Sequence, residues 1–344
     1  MWMTGNSHLF YHFLPEESGL LPKIDGKTET LQCEPLLRAA RKILDGEEII
    51  LPFGGRNTLW PFKRRVSKEI LINNLNYQKG NESSAETLRK YKHYNISATE
   101  IKARKLFITF GHNCCLYSKR RALQHAKSVG GFDFVRSFNL YSLASNFRQT
   151  HADILKTRRG AGYWLWKPYI LLKTLLENME EDDLVMYQDA GSYLIRSAAP
   201  LLKLCQESKH GIIVFNSAKT EGDYTKRDAF VLMNMDIPEA YQTFQRIASF
   251  VVIKKSCSSI HFVMEWLAYL SDRRIASDDA NTMGLQNIKS FKAHRHDQSV
   301  LSLLSKKWGI PALQDPSQFG RKRSKNYYSS GPYEQLIIHD RLKN

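Results

Sequence analysis

The chain has 344 residues, of which 42% are hydrophobic, 11% aromatic and 24% charged. That length allows about two domains and the balance is an ordinary globular one, which excludes a disulfide-stapled miniprotein, a low-complexity fibre and a disordered polyampholyte. Fifty Lys and Arg against 34 Asp and Glu give a formal net charge of +16, which points to an anionic partner: nucleic acid, a membrane surface or a phosphorylated substrate.

From the N-terminus, MWMTGNSHLFYHFLPEESGLL lacks the basic region and unbroken apolar run of a signal peptide. No later span approaches the roughly 18 apolar residues of a membrane helix. The expectation is a cytoplasmic protein, soluble or peripheral on the inner face of a membrane. Five cysteines (Cys33, Cys114, Cys115, Cys205, Cys257) are odd in number and lack C-x-x-C spacing, which predicts reduced thiols. Asn-x-Ser sequons at Asn81 and Asn95 would count only in a secretory lumen.

Leu36–Leu44 predicts a short amphipathic helix, Gly54-Gly55 interrupts regular structure beyond it, and Asn76–Ser84 is polar and loop-like. A basic stretch leads to a boundary near Arg104, so residues 1–104 read as an N-terminal extension, mainly helical or irregular. From Lys105 short apolar runs alternate with amphipathic segments, the pattern of an α/β domain with a mostly parallel central sheet. The strands are Leu106–Gly111, Phe132–Leu140, Asp182–Gly191, Gly211–Ala218 and Ala248–Lys255. The helices are Ser118–Gly131, Leu143–Lys156, Lys167–Met179, Ala198–Glu207, Glu239–Ile247, Ser259–Leu270 and Asp297–Lys307. The domain spans 105–313, and residues 314–344, with GRKRSKN from Gly320 to Asn326, form a loosely ordered basic tail.

Ligands of open α/β sheets collect at the carboxyl ends of strands, where loops carry polar groups. Asp189 lies at such an end, after the apolar Leu184–Met186 and before the small Ala190-Gly191. It is either a ligand-binding acid or a turn aspartate. HRHDQS, His294–Ser299, offers imidazole and carboxylate ligands for a divalent ion, or simply a helix cap at Asp297 with surface histidines. RRGAGYWLWKPY, Arg158–Tyr169, compresses two glycines, two tryptophans and several cations before a helix, which suits a ring plus a phosphate. At least one of Trp164 and Trp166 should instead be buried against the sheet. Lys226-Arg227-Asp228 reads equally as a solvated turn, and Glu265 as an acid paired with a nearby cation.

The ordered set RGAGYWLWKPYI, LVMYQDAG, TKRDAF, EWL and HRHDQSVLSLLSKKW resembles GT-A-type glycosyltransferases of polysaccharide-synthesis gene sets and some large viruses, over roughly Lys105 to Ile310. The resemblance implies a single Rossmann-like GT-A domain that moves a sugar from a nucleotide-diphosphate-sugar, a UDP-sugar foremost, to a glycan, lipid-linked or other hydroxyl acceptor. In that class a strand ends in Asp-x-Asp, which holds a divalent ion and the donor. Here the match is Asp189-Ala190-Gly191, and the second acid is missing. A Mn2+ or Mg2+ site would then combine Asp189 with His296 or Asp297; otherwise Lys167 and Arg227 would meet the leaving-group charge. By the same resemblance, to retaining members, Asp297 would bind donor-sugar or acceptor hydroxyls and Gln298 would sit near the anomeric carbon. An inverting enzyme would instead need a carboxylate base within reach of the acceptor hydroxyl, for which Asp228 and Glu265 are the candidates. Thr109, Gly111 and His112 would line the base pocket, with Tyr163, Trp166, Gln188 and Lys226 completing the donor site. The cationic runs Lys63–Lys68, Lys119–Arg121 and Arg321–Lys325 would hold an anionic membrane. Two alternatives remain: a nucleic-acid-binding protein, which lacks any recognisable binding signature here, and a catalytically inactive GT-A-like interaction module.

Overall fold

A computed structural model describes residues 33–46, 66–79, 101–112, 115–321 and 333–340. The N-terminal start, Gly54-Gly55, both sequons, Cys114, Lys63–Arg65 of the first cationic run and residues 322–332 lie outside the described residues.

The central sheet is built from β1 (Lys105–Phe110), β2 (Phe134–Phe138), β3 (Leu184–Gln188), β5 (Ile212–Thr220), β6 (Phe244–Lys254) and β7 (Ala312–Leu313). Across the sheet their order is β2-β1-β3-β6-β5-β7. β1 runs parallel to β2 and β3, and β7 parallel to β5, while β6 runs antiparallel to both β3 and β5. The architecture is therefore mixed α/β with a mostly parallel sheet, as the alternation of apolar runs predicts. A separate two-stranded ribbon pairs β4 (Ser192–Leu194) with β8 (Ile337–His339).

The apolar runs form central strands because both faces of the sheet are covered. Side chains of β1 and β3 alternate between two cores. Leu106, Ile108, Phe110, Val185 and Tyr187 enter the larger one, with helices α1 (Cys33–Leu44), α4 (Trp166–Glu177), α6 (Cys257–Leu270) and α7 (Asp297–Lys307). Phe107, Leu184 and Met186 enter the other, under α3 (Leu116–Ser128) and α5 (Ala199–Glu207). Helix α2 (Lys68–Lys79) adds Leu71 and Leu75 to the larger core. No helix among the described residues is long and apolar enough to cross a membrane.

Three expectations are corrected. Glu239–Ile247 is not a helix: Pro238–Tyr241 makes one turn, and the chain then enters the eleven-residue β6. Pairing with strands on both sides outweighs the local helical pattern there. Leu143–Lys156 splits into Ser145–Thr150 and Ala152–Leu155, broken at His151, whose φ of −107° and ψ of 27° are not helical. The segment after Pro311 is packed rather than loose where it is described, since Leu313, Tyr333, Leu336 and Ile337 lie in the core under α5. In addition, Cys33 is bridged to Cys257, with Cα atoms 5.6 Å apart, which joins the first residue of α1 to the first of α6. The odd cysteine count gave no hint of that pair.

His151 is 6% exposed and packs on Phe147. Burial pushes it down to about 4, outweighing the pull of Asp153 in the other direction. Between that value and the ordinary 6.5 the unfolded chain binds a proton that the native protein refuses. Stability is thus complete above about pH 6.5 and falls as pH drops, by at most about 3 kcal/mol from this residue. His294 and His296, also buried and held low, act in the same direction. The buried Asp297, pushed up to about 6, acts in the opposite direction. The share of His151 is therefore read by comparison: between about pH 7.5 and about pH 5 His151→Leu should lose less stability than wild type in denaturant unfolding, and an equal loss in both would contradict this.

Residues 160–164 form a left-handed turn just before α4. All five have positive φ: Gly160 59°, Ala161 49°, Gly162 97°, Tyr163 49° and Trp164 60°. A Cβ at position 162 would lie 2.8 Å from Leu155 Cα, on backbone that cannot yield. Gly162→Ala should cost about 2 kcal/mol or more of unfolding free energy in denaturant titration, whereas Ala161→Gly should be neutral or stabilise by up to about 1 kcal/mol.

Candidate active site

β3 delivers Asp189 to the carboxyl edge of the sheet. All five strand residues are buried, and Asp189 is held by its backbone: its N–H donates to Ser249 carbonyl (2.7 Å), and its carbonyl accepts from Ser192 N–H (3.1 Å) and hydroxyl (2.9 Å). Tyr187, two residues earlier on the same face, donates its hydroxyl to Asp189 Oδ1 at 2.5 Å. Burial first, and Asp189 second, keep Tyr187 well above the ordinary phenol range, so it stays a donor.

Lys167 sits in the first turn of α4, 2% exposed. Its Nζ donates to Asp297 Oδ2 (2.5 Å) and Ala248 carbonyl (2.9 Å) and lies 3.4 Å from Asp189 Oδ1. Three acceptors therefore face its three N–H groups. Burial works against the ammonium, but Asp189 and Asp297 outweigh it and hold Lys167 above its ordinary range. Asp297 is the first residue of α7, and burial pushes its carboxyl up to about 6 against the pull of Lys167. At neutral pH the cluster carries two carboxylates and one ammonium, a net charge of about −1. Among the described residues Asp189 Oδ2 has no hydrogen-bond partner, and the side chain is 35% exposed. This is the open acceptor of the cluster.

His296 immediately precedes Asp297, with φ 48° and ψ −116°. Its Nδ1 meets Ala276 carbonyl at 2.8 Å, and its Nε2 accepts from Arg159 Nε–H at 2.9 Å. Its ring stacks on Tyr163 and Trp164, so it braces the left-handed turn that starts α4. Gln298 donates to Gln245 Oε1 at 2.8 Å, and Gln245 in turn reaches Tyr224 carbonyl, Thr225 and Ser299. Trp166 is the buried tryptophan: it stacks on Phe110 with centroids 3.6 Å apart and donates to Gly160 carbonyl.

The remaining candidate residues have other partners. Lys226 Nζ donates to Asp279 carbonyl (2.7 Å), while its backbone N–H meets His294 Nδ1 (3.2 Å). Arg227 pairs with Asp236 at 2.7 Å. Asp228 is fully buried and accepts from Thr282 N–H (2.6 Å), Thr282 hydroxyl (2.9 Å) and Met283 N–H (3.1 Å). Glu265 is equally buried and is held by Trp308 Nε1–H (2.9 Å) and Lys307 (3.4 Å). Both carboxylates hold the fold together where they lie. Thr109 and Gln188 come just after the Ile108–Tyr187 pair on the adjacent strands β1 and β3, both fully buried, and among the described residues Thr109 Oγ1 and the Gln188 carboxamide have no hydrogen-bond partner. Gly111 and His112 follow β1; His112 meets Tyr141 edge-on at 5.7 Å, and Tyr141 is 75% exposed.

The donor set for a divalent ion does not fit. Such an ion takes oxygen donors at about 2 Å. Asp189 has one oxygen engaged by a hydroxyl and an ammonium, and both nitrogens of His296 are occupied. Among the described residues no group of three or more His, Cys, Asp and Glu side chains could hold a metal.

Sequence reasoning missed Tyr187, Arg159, Gln245 and the Ala248 carbonyl. Two-residue strand alternation from Asp189 could have found Tyr187. The other three depend on long-range packing that spacing does not encode.

No protein-family model matches the chain, and no curated protein matches it. Among solved structures it is similar to apo WbbM, a bifunctional glycosyltransferase, at 11% identity and a TM-score of 0.41, covering 72% of this chain and 47% of that one. It is also similar to apo mouse xyloside xylosyltransferase 1, at 10% identity and a TM-score of 0.39, covering 70% and 98%. A third is the galactosyltransferase LgtC in complex with donor and acceptor sugar analogs, at 13% identity and a TM-score of 0.37, covering 69% and 87%. The chain spans about half the length of WbbM.

Proposed function

We propose that the chain is a glycosyltransferase that moves a sugar from a nucleotide-diphosphate-sugar to a hydroxyl acceptor. The observation that carries this reading is the Asp189 cluster: a carboxylate with one open oxygen at the carboxyl edge of the sheet, tied through a buried ammonium to Asp297 on another element. Rigid positioning of an acceptor atom by a closed polar cluster is what recognition of sugar hydroxyls needs.

In the reaction, the bond between the anomeric carbon and the diphosphate oxygen breaks, and its electrons leave with the nucleoside diphosphate. The acceptor oxygen bonds the same carbon, and its proton passes to an oxygen of the departing diphosphate. Asp189 Oδ2 accepts a hydrogen bond from a donor hydroxyl, and Asp297 fixes Lys167 beneath it. Asp228 and Glu265 have their carboxylates taken up by interior partners, which leaves Asp189 as the accessible acid among the candidates. His112 and the exposed Tyr141 offer flat ring surfaces at the end of β1 suited to a nucleobase. A diphosphate still needs positive contacts. Lys119, whose side chain lies against Gly111, and the exposed Arg120 are the first lysine and arginine after that strand end in sequence.

Incubation with a panel of UDP- and GDP-sugars should release nucleoside diphosphate slowly into water and faster with a suitable acceptor. No release and no binding across the panel would sink the reading.

A further inference from the structure

The cation place at this site is already taken by the protein. A metal ion beside a strand-end carboxylate would share it with a second anionic or neutral donor whose lone pair is free. Neither neighbour presents one at the open edge, where Asp297 is only 5% exposed. Asp297 Oδ2 receives the Lys167 ammonium at 2.5 Å, and His296 spends Nδ1 on Ala276 carbonyl and Nε2 on the Arg159 N–H. Freeing His296 would break its hydrogen bond from Arg159 and unstack the ring from Tyr163 and Trp164, the turn that positions Lys167. The ammonium, by contrast, is built in: it is 2% exposed, and a carboxylate, a carbonyl and a second carboxylate surround it.

We propose that the Lys167 ammonium is the resident cation of the Asp189 site, so that the nucleotide-sugar binds at Asp189 without a divalent ion. This rests on the glycosyl-transfer reading above. Lys167 acts as a positioning residue. It bridges Asp189 to Asp297, holds Asp189 Oδ1 inward together with Tyr187, and leaves Oδ2 to face a ligand hydroxyl rather than a metal. A fixed single charge between two carboxylates does not neutralise a diphosphate, so the leaving group draws its positive contacts from side chains elsewhere on the edge.

The test uses the full chain stripped with EDTA and titrated calorimetrically with UDP- and GDP-sugars in EDTA, Mg2+ and Mn2+. Affinities should agree within about threefold in all three, and wild type and Asp189→Asn should give the same Mn2+ electron paramagnetic resonance titration in the presence of UDP. A fall of about tenfold or more in EDTA, or Mn2+ binding that Asp189→Asn abolishes, overturns the inference while leaving glycosyl transfer intact. No affinity in any arm overturns the glycosyl-transfer reading and this inference with it. Neither arm needs a Lys167 variant, so the result does not depend on such a variant folding.

Discussion

Lys167→Met should destabilise the protein by about 3–5 kcal/mol, the cost of leaving a buried charge without its partner. The loss falls on Asp297, 5% exposed, and on the Ala248 carbonyl, both of which lose their donor. Asp297 joins α7 to the sheet at this point, so the effect should reach the start of that helix. Lys167→Met combined with Asp297→Asn should recover a substantial part of the loss, because the second change removes the stranded charge. Denaturant unfolding of the single and double variants checks this. A Lys167→Met protein within about 1 kcal/mol of wild type would mean that the pair is not buried and coupled as described.

Asp189→Asn should have the opposite profile, with a large loss of activity and a smaller loss of stability. The backbone of Asp189, not its side chain, ties β3 to Ser249 and Ser192, and asparagine keeps an acceptor for Tyr187. What it loses is the negative charge at the open oxygen. Nucleotide release should fall by about 100-fold or more, a loss of about 2.7 kcal/mol in transition-state stabilisation, while the loss of stability stays smaller than for Lys167→Met because Lys167 keeps Asp297 and the Ala248 carbonyl. Activity within about threefold of wild type would remove Asp189 from the site.

The sequence was informative where one local pattern decides the outcome. Doubly buried strands such as Leu184–Gln188 read as apolar runs, and α7 begins at Asp297 and ends at Lys307, the bounds its sequence predicts. Asp189 was legible because a strand end followed by small residues is a local feature. It was not legible which of the other polar residues would meet it. Lys167 stands 22 positions before Asp189 and 130 before Asp297, and only the packing of α4 and α7 on one face of the sheet unites them. His296 looked like a ligand because imidazole and carboxylate stand side by side in sequence. In space the two side chains diverge, one to Arg159 and the other to Lys167. Asp228 and Glu265 likewise carried the right chemistry but found interior partners, Thr282 and Trp308, that no spacing rule points to. For β6 the local helical pattern was overridden by pairing on both edges.

The central claim is that a nucleotide-sugar occupies the edge beside Asp189. A crystal structure of the full chain soaked with a UDP- or GDP-sugar tests it most directly. The account predicts a donor hydroxyl within hydrogen-bonding distance of Asp189 Oδ2, with the Lys167 ammonium still between Asp189 and Asp297. A donor bound away from that edge, or Lys167 displaced from the two carboxylates, would contradict it.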